Sequence, residues 1–420
     1  KIMTGTLKPI LGYLMLAAGA GVIVSNLDPL GKMIEHGFHI TGVVPNNEAI
    51  VAVAQKVLGV ETMSILVVGL LMNLLIARFT KFKYVFLTGH HSLFMACLMS
   101  AVLGTAGLSG IELILVGGFL MGAWSAISPA IGQSYTSKVT DGDEIALGHF
   151  GSLGYYLSAW VAKYVGKAEE STEDIEIPEK WGFLRDSTLS TALTMIVFYL
   201  IAAIAAGSEF VATLSGSMSP YLFAVMSAMN FAVGVAIVYS GVRMILGDLI
   251  PAFQGIATKI IPNAIPAVDC AVFFTYAPTA VVLGFISSFI GGIIGMLILG
   301  AVGGVLIIPG LVPHFFCGAT AGIYGNATGG RRGAAVGAFL NGLAITFLPA
   351  LALPVLGQLG FQNTTFGDAD FAVIGLVLGN AFEWIGMASI YGVVVIAALV
   401  LIIPNFIKTK GKVINYVEEE

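Results

Sequence analysis

Four ionisable residues, His90, His91, His149 and Asp269, sit in or beside stretches apolar enough to cross a lipid bilayer. An ionisable group at membrane depth costs on the order of several kcal/mol unless it faces a cavity or a partner, so such residues mark the path of a polar cargo. The first pair belongs to Thr88-Gly89-His90-His91-Ser92. Gly89 frees a helix start, whose unpaired N–H groups attract an anion. Either imidazole can add a hydrogen bond or a positive charge. A histidine satisfied by lipid headgroups would look the same in sequence. His149 lies between Gly148 and Gly151, which let backbone come close to a ligand. Asp269 follows Pro266, which unwinds the chain and frees carbonyls. Its carboxylate suits the hydroxyls of a polyol or sugar, and it can at the same time cap a helix starting near Ala271. In Pro45-Asn46-Asn47-Glu48, an amide and a carboxylate together suit hydroxyl recognition, or form a polar turn.

The elements that must position these residues are membrane spans. The chain has 420 residues, 57% of them hydrophobic and 10% charged, against roughly 25% charged in soluble domains. A mean hydropathy of +0.94 leaves no room for a large soluble domain. The net charge of −5 and the lack of a basic cluster argue against nucleic acid. Cys97, Cys270 and Cys317 fit no zinc or disulfide pattern and read as packing residues. No Walker A, zinc-protease or nucleophile-elbow motif occurs, so neither a self-powered ATPase nor a metal or cofactor is expected. The chain opens Lys1-Ile2-Met3 and closes Glu418-Glu419-Glu420, and both ends read as cut from something longer.

A span needs about 20 apolar residues. Candidates run over 7–26, 60–79, 84–104, 110–132, 188–207, 219–241, 271–290, 291–308, 333–357 and 372–404, the last as a tilted or extended helix. Segments 37–58, 144–165 and 309–328 are apolar but interrupted, and read as re-entrant hairpins or discontinuous helices. The expected fold is an all-α polytopic membrane protein with about ten to eleven transmembrane helices plus re-entrant hairpins. A polar connector at 163–187 separates residues 1–185 from 188–420, as a solvated link or a docking surface for a soluble partner. Arg78, Lys81 and Lys83, with Lys408, Lys410 and Lys412, are expected on the cytoplasmic side. Two faint echoes suggest two copies of one unit. Leu27 and Pro29 match Leu249 and Pro251, an offset that sets Asn47 opposite Asp269, and Gly89 has a near-counterpart in Gly310. Transporters built from inverted repeats hold substrate on broken helices at the repeat interface.

Several motifs together resemble the membrane IIC component of the ascorbate-type branch of the bacterial phosphoenolpyruvate-dependent sugar phosphotransferase system. They are GTLKPILGYLML, FLTGHHSLF, VTDG followed by GH, GKAEESTEDIEIP, the stretch QGIATKIIPNAIPAVDCAVFFTYAPTAVV at 254–282, and LIIPGLVPHFF. The resemblance implies about eleven helices, two inverted repeats, and a homodimer whose core subdomains move against a scaffold in an elevator-like way. It implies import of L-ascorbate or a closely related sugar acid across the inner membrane, in contact with lipid. The cargo is then phosphorylated by a partner IIB domain from a phosphocysteine. It places substrate contacts on Asn47, Glu48, His90, His91, Ser92, Phe94, His149, Phe150 and Asp269. The chain departs from the pattern in having Phe94 and Phe150 where glutamines are expected, and Asn47-Glu48 for a hydroxyl-bearing pair. An aromatic ring lacks the two-sided hydrogen bonding of an amide, which leaves the exact substrate open. The family's first helix is expected to precede Lys1. Asp269 is expected to orient the terminal hydroxyl and take its proton during phosphoryl transfer. The rival expectation is a proton- or ion-coupled secondary transporter of a small polar anion, with His90, His149 and Asp269 as a proton relay.

Overall fold

In lipid, backbone polar groups must be satisfied within the protein, and a long apolar run does this by forming a helix. The computed structural model, which describes residues 2–39, 42–45, 47–175, 187–357 and 364–406, is built on that rule. In chain order it has α1 (Ile2–Phe38), β1 (Val44–Pro45), α2 (Asn47–Phe79), β2 (Tyr84–Phe86), α3 (Gly89–Thr105), α4 (Gly110–Thr140), β3 (Ala146–Leu147) and α5 (Ser152–Val165). After the connector come α6 (Ser187–Ala206), α7 (Ser208–Ser215), α8 (Pro220–Lys259), β4 (Ile265–Val268), a 3-10 helix (Cys270–Thr275) and α9 (Pro278–Ala301). The chain continues with α10 (Leu311–Gly357), β5 (Thr364–Thr365), α11 (Ala369–Ile385) and α12 (Met387–Ile402). Among the described residues seven helices are long and apolar enough to cross a membrane, or eight when the α6–α7 pair, bent by 117°, counts as one span.

The structure divides some apolar runs differently from the sequence expectation. The two spans expected at 271–290 and 291–308 are one helix, α9, which Pro278 opens in its first turn. The single long helix expected at 372–404 is cut at Gly386, whose φ of +77° ends α11. α3 has 17 residues and α5 has 14, both short for a straight crossing.

α10 is not one rod. Its backbone leaves helical geometry at Gly329 and Gly330. A Cβ on Gly325 would lie 2.4 Å from the carbonyl oxygen of Gly333, whereas residues eight apart on a straight helix are separated by about 12 Å. Gly318 and Gly342 both pack on Ser288 of α9, and His314 and Thr346 pack about one and two turns further along it, on Gly292 and Gly295. The two arms of α10 therefore lie side by side against α9, with the reversal at Gly329-Gly330. The adjoining Arg331 and Arg332 stand exposed beside the turn.

Part of the polar connector holds this turn. Arg331 N–H donates to the Glu170 carbonyl at 2.8 Å, and Thr172 N–H donates to Asn326 Oδ1 at 2.8 Å. The Glu173 carboxylate accepts from the N–H groups of Thr279 and Ala280 at 3.0 and 3.1 Å, which caps α9. Residues 166–175 are thus a strap over the hairpin, while 176–186 lie outside the described residues. Gly330 has φ +59°, and a Cβ there would sit 2.2 Å from the Lys167 carbonyl oxygen and 2.4 Å from that of Glu170. Strained φ and backbone overlap together predict that Gly330→Ala destabilises the protein by about 3 kcal/mol. A detergent-solubilised thermal melt will show a lowered transition.

Short parallel strands knit the breaks between helices. β4 is the middle strand between β2 and β3, with Ala267 opposite both Phe86 and Ala146. β1 pairs with β5 on one side, Val44 opposite Thr364, and bridges Ile307 through Val43 on the other. Each middle strand comes from the opposite half of the chain: β4 from beyond the connector lies between two strands that precede it, and β1 the reverse. The three interrupted segments read from sequence contain or adjoin these strands.

At one end of the molecule Lys81 N–H donates to Asn405 Oδ1 at 2.8 Å. The basic group at 78–83 therefore shares a side with the end of α12. Lys408, Lys410 and Lys412 lie outside the described residues.

Candidate functional site

Each strand delivers the chain abruptly to a helix start, and four such starts converge. β2 leads to Thr88 and α3, β4 to Asp269 and its 3-10 helix, β3 to His149 and α5, and β1 to Asn47 and α2. They open on a cavity of about 1180 Å³, which also takes in Pro309 to Pro313 at the start of α10, Cys317 and Asp368. Its other wall is α1, through Ser25, Asp28, Lys32 and Glu35 among others. Lys32 is paired along that helix with Asp28 at 2.8 Å.

Asp269 Oδ1 accepts the Ala271 N–H at 3.0 Å, so the capping role read from sequence is present. Its Oδ2 is buried, lies 3.4 Å from His90 Nε2, and takes no hydrogen bond among the described residues. Thr88 is the N-cap residue of α3 but makes no capping bond, and its buried Oγ1 has no partner among the described residues either. Buried polar atoms without partners are rare because each forfeits its hydration. Here two of them belong to residues on one cavity wall.

The contacts of the two histidines assign their tautomers. His91 Nδ1 accepts the Phe150 N–H at 3.3 Å. His149 Nδ1 accepts the Gly151 N–H at 3.1 Å and lies 2.9 Å from the Tyr155 hydroxyl. An imidazole nitrogen that accepts an N–H is unprotonated, so the donor network assigns both rings as neutral with the proton on Nε2. Their ring centroids are 3.7 Å apart. Together they form a rigid pair of hydrogen-bond donors. His91, His149 and Asp368 also bring potential metal-ligand atoms within 4.8 Å of one another. A metal-bound imidazole donates its second N–H to an acceptor. Both Nδ1 atoms here face donors instead, so the second shell does not suit a metal.

Other residues singled out from sequence fall in different places. His90 is half exposed at the cavity, and Phe94 lies on its wall. Ser92 is buried with its hydroxyl on the Thr88 carbonyl at 3.2 Å, away from the wall. Phe150 is fully buried and stacks on Phe86 with centroids 4.5 Å apart; it acts through its backbone N–H. Asn47 uses both sides of its amide on the protein, donating to Asp368 Oδ2 at 2.7 Å and accepting from Gly367 N–H at 2.9 Å. Glu48 lies in the first turn of α2, and its side chain is outside the described residues. Cys317, read as a packing residue, is on the cavity wall and donates to Asp368 Oδ1 at 3.0 Å.

Two aspartates were not anticipated. Asp370 is buried and accepts from the Ser152 hydroxyl at 2.7 Å, the Leu153 N–H at 2.9 Å and the Trp124 indole at 3.1 Å. It bolts the start of α11 to the start of α5, next to His149. Asp368 lies on the cavity. Its signal in sequence is Gly367-Asp368 after a short extended piece, an echo of Gly148-His149.

The chain is 25% identical to a protein of Mycoplasma pneumoniae described as an ascorbate-specific PTS system EIIC component. The similarity covers 91% of this chain and 66% of that protein, so the chain spans just under two thirds of the relative's length. Residues 1–370 also match the family EIIC-GAT, described as PTS system sugar-specific permease components. With its apolar helices and a match over most of its length, this chain belongs to that permease family, as a multi-pass protein of the bacterial inner membrane.

Proposed function

We propose that the chain imports L-ascorbate or a closely related sugar acid and presents it to a partner IIB domain for phosphorylation. The observation that carries this reading is the pair of unpartnered buried oxygens, Asp269 Oδ2 and Thr88 Oγ1, on a cavity that also holds the neutral His91–His149 pair. A ring with hydroxyl and enolate oxygens meets acceptors and donors there. The enolate suits the Nε2–H groups and the uncapped N-terminus of α3. Asp269 would repel that charge, so it holds a side-chain hydroxyl. In the transfer step, the hydroxyl oxygen attacks the phosphorus of the partner's phosphocysteine. The S–P bond breaks, and the hydroxyl proton passes to Asp269. Positioning, with no covalent intermediate on this chain, supplies the catalysis.

We also infer two structural repeats, 1–185 and 188–420, in a homodimer whose core moves against a scaffold. The exchanged middle strands β1 and β4 support the repeats. The cavity supports the motion, because one wall is the single helix α1 and the other is the cluster of helix starts.

The experiment is uptake in vesicles. With the phosphoenolpyruvate relay and IIB supplied and the proton gradient collapsed, phosphorylated product is expected inside. Gradient-dependent accumulation of unmodified substrate would favour the proton- or ion-coupled carrier instead.

A further inference from the structure

We propose that Asp368 is a second substrate-binding carboxylate on this cavity, which accepts a hydroxyl of the cargo other than the one held by Asp269. The proposal rests on the reading of this cavity as the substrate site.

Asp368 is 4% exposed and on the cavity wall. Its described contacts are an amide, Asn47 Nδ2 on Oδ2 at 2.7 Å, a thiol, Cys317 Sγ on Oδ1 at 3.0 Å, and His149 Nδ1, 3.8 Å from Oδ1. None of these supplies a positive charge, because the Gly151 N–H holds the His149 ring in its neutral form. A carboxylate has about four acceptor positions. Two are filled here, one of them by a thiol, which is a weak donor. A buried carboxylate so lightly served is expensive unless a ligand completes its shell.

The topology places the residue with the others. His149 follows β3, which flanks the middle strand β4. Asp368 follows β5, which flanks the middle strand β1. Both come after a glycine pressed against neighbouring chain, Gly148 on Ala267 and Gly367 on Pro313. The two cross-half pairs differ in one respect. Asn47 and Asp368 are joined directly, whereas Asp269 and His149 share no hydrogen bond. Asn47 is therefore spent on aligning Asp368, and the hydroxyl recognition expected of the amide passes to the carboxylate it holds. This also restores acceptor capacity that Phe94 and Phe150 do not provide.

The test is L-ascorbate binding and uptake by Asp368→Asn. The asparagine Oδ1 can keep the bond from Asn47, but its NH₂ presents a donor where the substrate hydroxyl needs an acceptor. Affinity is expected to fall at least about 10-fold. A carboxylate that stood near the ascorbate anion without touching it would repel it, and its neutralisation would tighten binding. Unchanged or tighter binding therefore overturns the assignment. A thermal melt of Asp368→Asn without substrate confirms that the variant folds. L-Ascorbate is expected to raise the melting temperature of the wild-type chain more than that of Asp368→Asn, and equal rises would also overturn the assignment. If the wild-type chain neither binds nor takes up L-ascorbate, the reading of the cavity falls, and this inference with it.

Discussion

Asp269→Asn is expected to keep the fold and lose transport. Asparagine caps a helix start as well as aspartate does, so the bond from Ala271 N–H to the side chain at 269 survives. What changes is Oδ2, the buried atom with no donor among the described residues. Replacing it with NH₂ removes an acceptor for a substrate hydroxyl and the base for its proton. A hydrogen bond to a charged group is worth about 1.5–3 kcal/mol, which converts to a loss of about 10- to 100-fold in binding. Phosphorylated product should fall further, because proton acceptance is lost as well. The checks are substrate binding to the purified variant and phosphorylated product in vesicles, with a thermal melt to confirm folding. Full binding and full product would remove Asp269 from the mechanism.

Gly148→Ala should be comparably damaging although it touches no substrate. The Gly148 N–H donates to the Val268 carbonyl at 2.7 Å, and a Cβ there would lie 2.4 Å from the Ala267 carbonyl oxygen. Both obstacles are backbone of the middle strand, which cannot rotate away as a side chain can. β3 must move off β4 and carry His149 with it. His149 in turn is registered by the Gly151 N–H and the Tyr155 hydroxyl, so the imidazole loses its donor direction. A misplacement of about 1 Å in a positioned group costs about 100-fold in rate. Uptake is expected to fall by that order, with a smaller drop in melting temperature than for Gly330→Ala. Wild-type uptake would mean that the close approach of β3 and β4 is not what orients His149.

Particular residues show how far sequence reading reaches. His90, His91, His149 and Asp269 were legible because an ionisable side chain in an apolar run is conspicuous, and the structure brings all four to one cavity. The helix-capping role of Asp269 was legible because capping is local. Phe150 and Ser92 were not legible as buried residues. One turns inward on Phe86 and the other closes on Thr88, and neighbours in sequence do not say which way a side chain at a strand–helix junction points. Asp368 went unnoticed because it opens α11, where an aspartate reads as an ordinary cap; yet it makes no capping bond and is held by Asn47, 321 positions away.

Apolar composition and the spacing of Gly and Pro determine by themselves that this chain lives in a bilayer, that its helices are interrupted, and which ionisable groups lie at the interruptions. These are properties of short windows: hydropathy sums over a span, and backbone freedom belongs to single residues. Only the tertiary structure decided that 271–308 holds one spanning helix, that α10 turns back at Gly329-Gly330, and that strands of two to four residues from opposite halves pair to gather the site. Hydropathy records how much apolar surface a segment has, not its direction. Strands so short have no stability alone, so their partners are chosen by whatever the surrounding helices bring beside them.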